Sequence, residues 1–276
     1  MKAVKNYKEN EGFSPDLSGL TILIPTFNEE KNIRQCIEGI KWADEILIAD
    51  SFSTDKTLEI AGQYPNVRII QREYHYSTSQ KNWAIPQAKN DWILIVDADE
   101  RVLPELAEEI KEIVKGEFKE DTPVAYWIRR ENFYLGKRIK FCGWQNDKVI
   151  RLFRKGKAIY EDKFVHGEMI VDGKVGILKN SLKHYTIENI SEHLKKIEKY
   201  STWKAMERKK RGRTSGIFVI AGKTFFKFFR DYFLRLGFLD GIYGFILCGI
   251  SAFSEFITYS KLWKMQKDEK ISRNTD

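Results

Sequence analysis

A short apolar run that ends on acidic residues constrains the fold of this chain more than any other feature: Trp92-Ile93-Leu94-Ile95-Val96-Asp97-Ala98-Asp99-Glu100. Apolar runs of this length are typical of strands buried on both faces of a parallel sheet, and such sheets bind ligands at the carboxyl ends of their strands. Side chains at positions i and i+2 of an extended segment share a face, so Asp97 and Asp99 are placed to meet a divalent cation that carries a substrate's phosphates. The alternative is an acidic strand end that only caps the helix starting at Pro104.

Strands and helices alternate through the first hundred residues. Apolar, strand-like runs cover residues 20–24, 45–50 and 67–70 before the run at 92–96, and helical segments separate them. The first helix is predicted to begin at Asn28, as its N-cap, and to reach about Ile40. This pattern is typical of a doubly wound α/β sheet, in which the strand ends converge on one crevice.

The pattern changes after the helix at Pro104. Strand-like segments follow at 124–128 and 148–153, and the dipeptide Asp172-Gly173 predicts a hairpin turn between short strands. From Ile190 onward the pattern is helical. We therefore divide the chain into an extension at residues 1–19, an α/β domain at 20–188 and a basic, aromatic helical region at 189–276.

Charge and cysteine content bear on the compartment and the partners. The chain has 276 residues and a formal net charge of +8, which favours an anionic partner such as a phosphorylated substrate, an anionic membrane or a nucleic acid. Its cysteines, Cys36, Cys142 and Cys248, show no metal-ligand spacing and are expected to be buried thiols in a reducing compartment. The first twenty residues lack the apolar core of a signal peptide, so we predict that the catalytic part lies in the cytoplasm.

A basic segment precedes an aromatic, apolar region near the carboxyl end. Lys and Arg are concentrated at residues 195–213, and aromatic residues at 216–263. The longest uncharged stretch, residues 241–254, has 14 residues, which is too short to span a bilayer. We predict an interfacial or re-entrant pair of helices on an anionic membrane surface, and the alternative is a helix pair that packs on the soluble core or on another subunit.

The crevice predicted at the strand ends has an acidic lining. It comprises residues 25–29, 50–55 and 80–82, together with Asp97 and Asp99. Acidic loops repel phosphates unless a cation lies between them, so the lining indicates a divalent metal. Neither a GxxxxGK(S/T) loop nor a GxGxxG fingerprint follows the first strand, which argues against a kinase-type or dinucleotide-binding site.

Taken together, these motifs give the chain a clear resemblance to family 2 inverting glycosyltransferases of GT-A fold, and in particular to the subgroup that contains lipopolysaccharide core β-1,4-glucosyltransferases. The matching motifs occur in order from about residue 20 to residue 263, which covers nearly the whole chain. They are Ile24-Pro25-Thr26-Phe27-Asn28-Glu29-Glu30, Asp50-Ser51-Phe52-Ser53-Thr54-Asp55, Gln80-Lys81-Asn82, Asp97-Ala98-Asp99-Glu100, Gly143-Trp144-Gln145-Asn146-Asp147, Arg151-Leu152-Phe153-Arg154-Lys155-Gly156-Lys157, Val165-His166-Gly167-Glu168, His184-Tyr185 and Tyr232-Phe233-Leu234-Arg235-Leu236-Gly237-Phe238-Leu239-Asp240-Gly241.

The resemblance implies a nucleotide-sugar site. The residues that would bind the donor are Pro25, Thr26, Phe27 and Glu29 at the nucleoside, Asp50 at the uracil with Ser51 beside it, and Lys81 and Asn82 near the diphosphate. Asp99 would ligate Mg²⁺ or Mn²⁺, and Asp97 would bind the sugar or a metal-bound water. His184 is the candidate for the late histidine that often completes the metal or diphosphate site in GT-A enzymes.

The resemblance also implies the catalytic and acceptor residues. Asp147, in Gly143-x-x-x-Asp147-x-x-x-Arg151, would be the general base that takes the proton of the acceptor hydroxyl, with Glu161, Asp162 and Glu168 as rivals. His166 and Glu168 join the candidate catalytic set, and Arg151 and Arg154 would hold an acceptor phosphate or carboxylate. The chain departs from the family at Asn146, where many relatives carry a second acid, and at Gly167, where many carry Glu.

The sequence therefore predicts a metal-dependent inverting glycosyltransferase that uses a nucleotide-sugar, expected to be a UDP-sugar, and a membrane glycolipid acceptor at the cytoplasmic face of the inner membrane. The expected pathway is the synthesis of lipopolysaccharide core or a related envelope glycan. One alternative is transfer to polyprenyl phosphate, where the acceptor phosphate attacks and no strong base is needed. Another is a non-enzymatic basic module that binds membrane or nucleic acid, which the acidic strand end disfavours because carboxylates repel phosphate backbones.

Overall fold

The computed structural model describes residues 19–163 and 167–273. They form two compact units. The first contains the described residues up to Glu131 together with those of Asp147–His184, and the second contains Asn132–Asn146 together with those from Tyr185 onward. The segment Asn132–Asn146 thus groups with the carboxyl-terminal part, whereas the sequence-based division assigned it to the α/β domain.

Four parallel strands form one half of the large sheet, in the order β3-β2-β1-β4. They are β1 (Leu20–Thr26), β2 (Glu45–Asp50), β3 (Val67–Gln71) and β4 (Trp92–Ile95). The helices between them are α1 (Ile33–Glu38), α2 (Thr57–Ala61) and α3 (Ser77–Ala84), the last followed by a 3₁₀ turn at Ile85–Gln87. Alternate residues of β1 enter two separate apolar clusters, with Ile22 and Ile24 in one and Leu23 in the other, so this strand is buried on both faces as predicted.

Beyond these strands the sheet is mixed, because β4 with β8, β8 with β6 and β11 with β5 pair antiparallel, in agreement with the change of pattern predicted after the Pro104 helix. Beyond β4 the order is β8-β6-β11-β5, and β7 pairs with β6. These strands are β5 (Glu100–Arg101), β6 (Ala125–Tyr134), β7 (Lys137–Arg138), β8 (Lys148–Arg154) and β11 (Val175–Ile187), and helix α4 (Pro104–Lys115) follows β5. Antiparallel neighbours need no crossover helix, which explains why the alternating pattern stops after α4.

Two local predictions are wrong. Asn28 does not cap a helix: it has a φ of +54°, in the left-handed region that asparagine tolerates, and α1 begins at Ile33. Asp172-Gly173 does not close a hairpin between its flanking strands, because β10 (Met169–Val171) pairs with β9 (Ala158–Tyr160) in a separate two-stranded sheet, whereas β11 joins the large sheet.

The helices of the second unit are long. They are α5 (Ile190–Lys210), α6 (Ile217–Phe229) and α7 (Gly241–Arg273). Asn189 caps α5, because its side chain accepts a hydrogen bond of 2.9 Å from the N–H of Glu192. A π-helical turn (Arg230–Leu234) and a 3₁₀ turn (Gly237–Asp240) connect α6 to α7. The cysteines Cys36, Cys142 and Cys248 are free and buried.

One segment of the described residues, Gly237–Glu269, has the length and composition of a helix that crosses a membrane. The sequence argument counted only the uncharged residues 241–254, whereas the helix continues through Glu255 and is 33 residues long. An apolar window that contains a few charged residues therefore reaches spanning length. A core helix of a soluble protein can pass the same test, so length and composition do not decide its environment.

Candidate functional site

The loops that follow β1 and β2 are tied together by hydrogen bonds in both directions. Ser53 Oγ accepts from the N–H of Asn28 at 2.8 Å, and Asn28 Oδ1 accepts from the N–H of Thr54 at 2.8 Å. The same reciprocity links Glu30 with the 55–56 segment, through Asp55 Oδ2 and the N–H of Lys56, each bond 3.1 Å long. These two loops therefore form one rigid polar wall at the carboxyl ends of the strands.

Asp50, the predicted uracil contact, lies at the end of β2 and is fully buried. Its oxygens accept four hydrogen bonds, from Thr26 Oγ1 (3.2 Å), the N–H of Ser53 (2.9 Å), Ser53 Oγ (2.5 Å) and Gln71 Nε2 (3.0 Å). Protein donors thus occupy all the lone-pair positions of this carboxylate. Among the neighbouring predicted donor residues, Thr26 and Ser51 are buried, Pro25 and Glu29 are half-buried, and Phe27 is 56% exposed.

The acidic segment after β4 is a turn and not an extended strand end. The N–H of Glu100 donates to the carbonyl of Asp97 at 2.8 Å, and Glu100 Oε2 in return accepts from the N–H of Asp97 at 2.9 Å. Asp97 and Asp99 therefore do not share the face of a strand, as the sequence argument assumed. Their carboxylates have different partners.

Asp97 is held by two cations. Its Oδ1 lies 3.0 Å from Lys81 Nζ, and its Oδ2 accepts a hydrogen bond from the guanidinium of Arg151. Burial raises the pKa of Asp97, but Arg151 and Lys81 outweigh burial and hold this pKa well below its usual range. The carboxylate is therefore ionised at neutral pH, and both of its oxygens are already engaged.

The ion pairs continue beyond Arg151 to the predicted base. Arg151 NH2 also donates to the fully buried Glu100 at 2.9 Å, and Glu100 lies 3.5 Å from Arg130 NH1. Arg130 in turn binds both oxygens of Asp147, through Nε at 3.0 Å and NH2 at 2.9 Å. Six side chains of alternating sign thus form one chain of contacts, which we call the ion chain. Its members are Lys81, Asp97, Arg151, Glu100, Arg130 and Asp147.

Sequence analysis gave no role to Arg130 or Glu100. Arg130 stands in a run of three charged residues, Arg129-Arg130-Glu131, in the middle of β6. Buried or half-buried charges inside a strand need partners, so this run was a signal that a polar contact lies nearby. Its partner Asp147, directly before β8, could not be predicted from the sequence, because strand register depends on the whole sheet.

Asp99 and His184 are brought together by the pairing of β5 with β11. In this antiparallel ladder His184 lies opposite Glu100, so its side chain reaches the acidic turn. His184 Nε2 is 3.6 Å from Asp99 Oδ2, and the two side chains are 15% and 23% exposed. In the described parts of the chain no group of three or more His, Cys, Asp or Glu side chains is arranged to hold a metal ion. This site therefore offers two protein ligands, one carboxylate and one imidazole.

Two predicted site residues lie elsewhere or have structural partners. Arg154 pairs with Trp92 at the beginning of β4, the opposite end from Asp97, where it contacts Asp91 at 3.3 Å and packs on Phe118. This position does not fit the acceptor role proposed for it. The amide of Asn82 makes two 2.9 Å hydrogen bonds to the backbone of Tyr160, so it holds α3 to β9.

The rival acids lie beside the start of α3. Asp162 accepts a hydrogen bond from the hydroxyl of Tyr76, and Glu161 Oε2 accepts from Lys163 Nζ (2.6 Å) and from the N–H of Glu168 (3.2 Å). The Lys163 contact lowers the pKa of Glu161, and the side chain of Glu168 is exposed. His166 lies outside the described residues.

The surroundings of Gly167 explain why this chain differs from the many relatives that carry Glu at this position. A Cβ at this position would lie 2.6 Å from Thr78 Cγ2 and 2.7 Å from the carbonyl oxygen of Glu161. The close approach of the backbone to α3 excludes the Glu that the subgroup carries there.

A mixed α/β sheet with a polar crevice at the ends of its parallel strands is the GT-A architecture of glycosyltransferases. The chain belongs to glycosyl transferase family 2, whose family model matches residues 21–186, and it is therefore a glycosyltransferase. It is 30% identical over 245 residues to the lipopolysaccharide core biosynthesis glycosyltransferase LpsC of Rhizobium meliloti, with 87% of each chain covered.

Two further proteins are similar to this chain. An uncharacterized glycosyltransferase of Rickettsia typhi is 29% identical over 253 residues, which cover 88% of this chain and 86% of that one. Among solved structures, S. aureus TarS 1-349 in complex with UDP-GlcNAc is similar with a TM-score of 0.46 and 13% identity, over 91% of this chain and 92% of TarS.

Proposed function

We propose that this glycosyltransferase moves a sugar, with inversion, from a UDP-sugar to a hydroxyl group of a membrane glycolipid in the synthesis of lipopolysaccharide core or a related envelope glycan. The proposal rests chiefly on the Asp99–His184 pair, in which a carboxylate of the turn after a parallel strand lies 3.6 Å from an imidazole of β11. The lipopolysaccharide core assignment of LpsC supports the choice of acceptor class.

The donor nucleoside would lie against the wall formed by the loops after β1 and β2. Phe27, 56% exposed, offers an aromatic face to a base, and Pro25, Thr26, Glu29 and Ser51 lie beside it in sequence or on the neighbouring loop. Asp50 would accept from a uracil only if one of its four protein donors gave up its bond. Gln71, on the edge strand β3, is the donor that could be exchanged without disturbing the loops.

The carboxylate of Asp99 and the imidazole of His184 fit a divalent cation whose remaining coordination positions are filled by other ligands. Carboxylate, imidazole and water suit Mn²⁺, and a carboxylate with substrate phosphates is the usual environment of Mg²⁺. A bound cation would neutralise the charge of the departing nucleoside diphosphate. Because the protein supplies only two ligands among its described residues, metal and nucleotide are expected to bind cooperatively.

Asp147 is proposed as the general base, held in orientation by Arg130. As the acceptor oxygen attacks the anomeric carbon, its proton passes to a carboxylate oxygen of Asp147 and the bond to the diphosphate breaks. Both oxygens of Asp147 contact Arg130, so one of these hydrogen bonds must loosen as the proton arrives. Glu161 and Glu168 remain the rivals for this role.

The same ion pair favours a second candidate function. A carboxylate bound at both oxygens by a guanidinium is a weaker proton acceptor than a solvated one, because the pair stabilises its charged form. Transfer to polyprenyl phosphate needs no base, since the acceptor is already an anion. The enzyme alternatives thus differ in whether Asp147 is essential to turnover.

The location proposed for the reaction is the cytoplasmic face of the inner membrane. The aromatic side chains of the second unit support it, because Phe218, Phe225 and Phe226 are 90%, 71% and 53% exposed. Anionic lipid headgroups would complement the net charge of +8. Nucleic acid is not a proposed partner.

Calorimetric titration of UDP, with and without Mn²⁺, tests the metal site. In the wild type we expect Mn²⁺ to strengthen UDP binding by about tenfold or more, since coupling between two bound ligands is typically worth about 5- to 150-fold. Asp99→Ala should abolish this gain and His184→Ala should reduce it. Asp91→Ala is the matched control, because Asp91 is an exposed acid at the other end of β4.

Two outcomes would count against the proposal. An unchanged Mn²⁺ effect in Asp99→Ala would remove Asp99 from the metal site. A thermal-shift panel of UDP-, GDP- and ADP-sugars with metal should give the largest stabilisation with a UDP-sugar, and a clear preference for another nucleotide would refute the donor assignment.

A further inference from the structure

Helix α6 is apolar and yet has no buried residue. Its sequence, Ile-Phe-Val-Ile-Ala-Gly-Lys-Thr-Phe-Phe-Lys-Phe-Phe, contains two charges, and Phe218 and Phe225 are 90% and 71% exposed. Surface helices of globular proteins normally bury their apolar stripe against a core. A contiguous exposed apolar surface of this kind marks a site of interaction.

A cleft of about 500 Å³ lies between α6 and α7. It is lined by Phe225, Phe228, Gly249, Ala252, Phe253 and Phe256. The one polar side chain in the lining is Thr224. Its hydroxyl donates a hydrogen bond to the carbonyl of Ile220 at 2.7 Å, so it needs no hydrogen-bond acceptor from a ligand. The volume suits a small molecule, and the lining suits one without polar groups.

The segment that leads into helix α6, and the helix itself, are rich in cations. Residues 208–230 contain eight Lys and Arg residues and no Asp or Glu. Ion pairs with Glu207, Asp231, Glu255 and Glu269 engage five of the eight. Lys210, Arg213 and Lys223 have no acidic partner in the described ranges, and Lys223 directly precedes the cleft residue Thr224.

We propose that the α6–α7 cleft binds one hydrocarbon chain of an anionic lipid, whose headgroup is held by Lys223, the unpaired cation next to the cleft residue Thr224. The apolar lining excludes a polar ligand, and this cation selects a negative headgroup. This lipid site is separate from the transfer reaction and does not depend on the identity of the sugar or of the acceptor. The proposed lipid is a phospholipid of the membrane; the anchor of a glycolipid shares its chemistry and is an outcome of the test.

A second copy of this chain is a poorer occupant. Most homodimers are twofold symmetric, and their interface brings a surface patch against the same patch of the partner. Here that arrangement would bring Lys223 of each copy towards Lys223 of the other, because Lys223 adjoins the cleft residue Thr224. Like charges would oppose the association, whereas anionic headgroups would be attracted.

Two glycines allow a clean test. A Cβ at Gly249 meets no atom within 4 Å and Gly249 lines the cleft, so a side chain added at this position begins in open space and is expected to occupy the cleft. A Cβ at Gly222, on α6, also meets no atom within 4 Å, but Gly222 does not line the cleft. Gly249→Phe and Gly222→Phe therefore add the same side chain to the same helix pair, and only the first fills the cleft.

The probe is lysophosphatidylglycerol with chains of increasing length, titrated below its micelle concentration. The wild type should bind one molecule per chain, with affinity rising roughly fourfold per methylene until the cleft is filled and then levelling off. Gly249→Phe should weaken binding of the long-chain probe by about tenfold or more, equivalent to about 1.4 kcal/mol, while Gly222→Phe stays near wild type. Lysophosphatidylcholine should bind more weakly than lysophosphatidylglycerol because its headgroup has no net charge.

Further measurements distinguish between the two sources of lipid and between the lipid and other occupants of the cleft. Preference for a monoacylated glucosamine phosphate over lysophosphatidylglycerol of equal chain length would identify a glycolipid anchor, and equal affinity would identify membrane phospholipid; both support the site. Binding unaffected by Gly249→Phe, or several probes per protein with no levelling off, would overturn it. A lipid-free dimer in light scattering that Gly249→Phe dissociates would assign the cleft to a second copy instead. UDP binding should be unchanged in both variants, which verifies that they are folded.

Discussion

The ion chain gives each charged side chain of the site a partner of opposite sign. Glu100 and Arg151 are almost completely buried, so neither could remain charged there alone. Asp147, the proposed general base, stands at one end of the ion chain. Lys81, which is expected to lie near the diphosphate, stands at the other end. At this scale the site is defined by pairs and not by single residues.

Removal of the Asp147 carboxylate should slow the chemical step and leave the affinity for the donor nucleotide nearly unchanged. Asp147→Asn is expected to lower kcat by about 10²- to 10⁴-fold, the usual loss for a general base, with the Kd for UDP changed little. Arg130→Gln should lower kcat less and show a non-additive effect in the double variant, because Arg130 acts through Asp147. Steady-state kinetics and UDP calorimetry measure both quantities.

Asp121→Asn, at an exposed acid that pairs with Lys174 and has no proposed role in the site, is the control and should keep near-normal turnover. Near-normal turnover in Asp147→Asn would instead move the base to Glu161 or Glu168, or favour the phosphate acceptor.

Asp97 should make the stability of the protein depend on acidity. Because its pKa is lowered in the folded state, its ion pairs contribute fully above the unfolded pKa of about 3.9, and their contribution is lost as the pH falls further. Asp97→Asn is expected to reduce the free energy of unfolding at pH 7 by on the order of 3 kcal/mol, since it leaves Lys81 and Arg151 without their shared partner.

Urea unfolding between pH 7 and pH 2.5 would measure this effect. The difference between wild type and Asp97→Asn should narrow below about pH 4, where the unfolded carboxyl takes up its proton. Asp172→Asn, at an exposed pair with Lys157, should show little difference at any pH. If the difference in the free energy of unfolding between wild type and Asp97→Asn stayed constant down to pH 2.5, the ion pairs of Asp97 would not stabilise the fold.

At the scale of elements, apolar strands were predictable and register was not. β1, β2 and β4 are continuous apolar runs, so their existence and burial follow from local sequence. The meeting of Asp99 with His184 depends on the β5–β11 ladder, which joins residues more than eighty positions apart. The Arg130–Asp147 pair depends in the same way on the pairing of β6 with β8. The turn at Asp97–Glu100 depends on hydrogen bonds that cannot be predicted from an acidic strand end.

Two glycines of α7 should respond in opposite ways to the same substitution. A Cβ at Gly244 would lie 2.0 Å from the carbonyl oxygen of Gly237, in the turn that precedes the helix, whereas a Cβ at Gly249 meets nothing within 4 Å. Gly244→Ala should destabilise the protein by about 1–3 kcal/mol through overpacking. Gly249→Ala should stabilise it by up to about 1 kcal/mol, because alanine is the better helix former.

Thermal unfolding of the two variants side by side decides this prediction. Since both changes add one methyl group to one helix, any difference comes from the contact between α7 and the Gly237 turn. A Gly244→Ala variant as stable as wild type would mean that this contact is not maintained in solution.

For the molecule as a whole, the charge and the exposed aromatic residues suggest one surface that faces lipid. The wild type should bind vesicles of anionic phospholipid, with an electrostatic part that falls as salt is added and an apolar part that salt does not screen. Replacing Phe225, Phe226, Phe228 and Phe229 together by Ser should remove the salt-resistant part while UDP binding survives. Vesicle sedimentation at low and high salt measures both parts.

The control replaces four exposed apolar residues of the first unit by Ser. These are Phe118, Ile159, Ile170 and Ile177, which are 51%, 56%, 58% and 47% exposed. Equal loss in both variants, or no binding of the wild type at low salt, would contradict a lipid-facing role for the second unit. Preferential binding of RNA would revive the nucleic-acid alternative.

The reciprocal bonds between the loops after β1 and β2 also restrict how this protein can evolve. Asn28 binds the backbone of one loop while Ser53 binds the backbone of the other, so neither partner can be exchanged without leaving an unsatisfied group across the gap. Relatives that alter Asn28 should therefore carry a compensating change at Ser53 or Thr54, and those that alter Glu30 should carry one at Asp55. Although some twenty-five positions separate them in the gene, the two loops would be inherited as a single unit of variation.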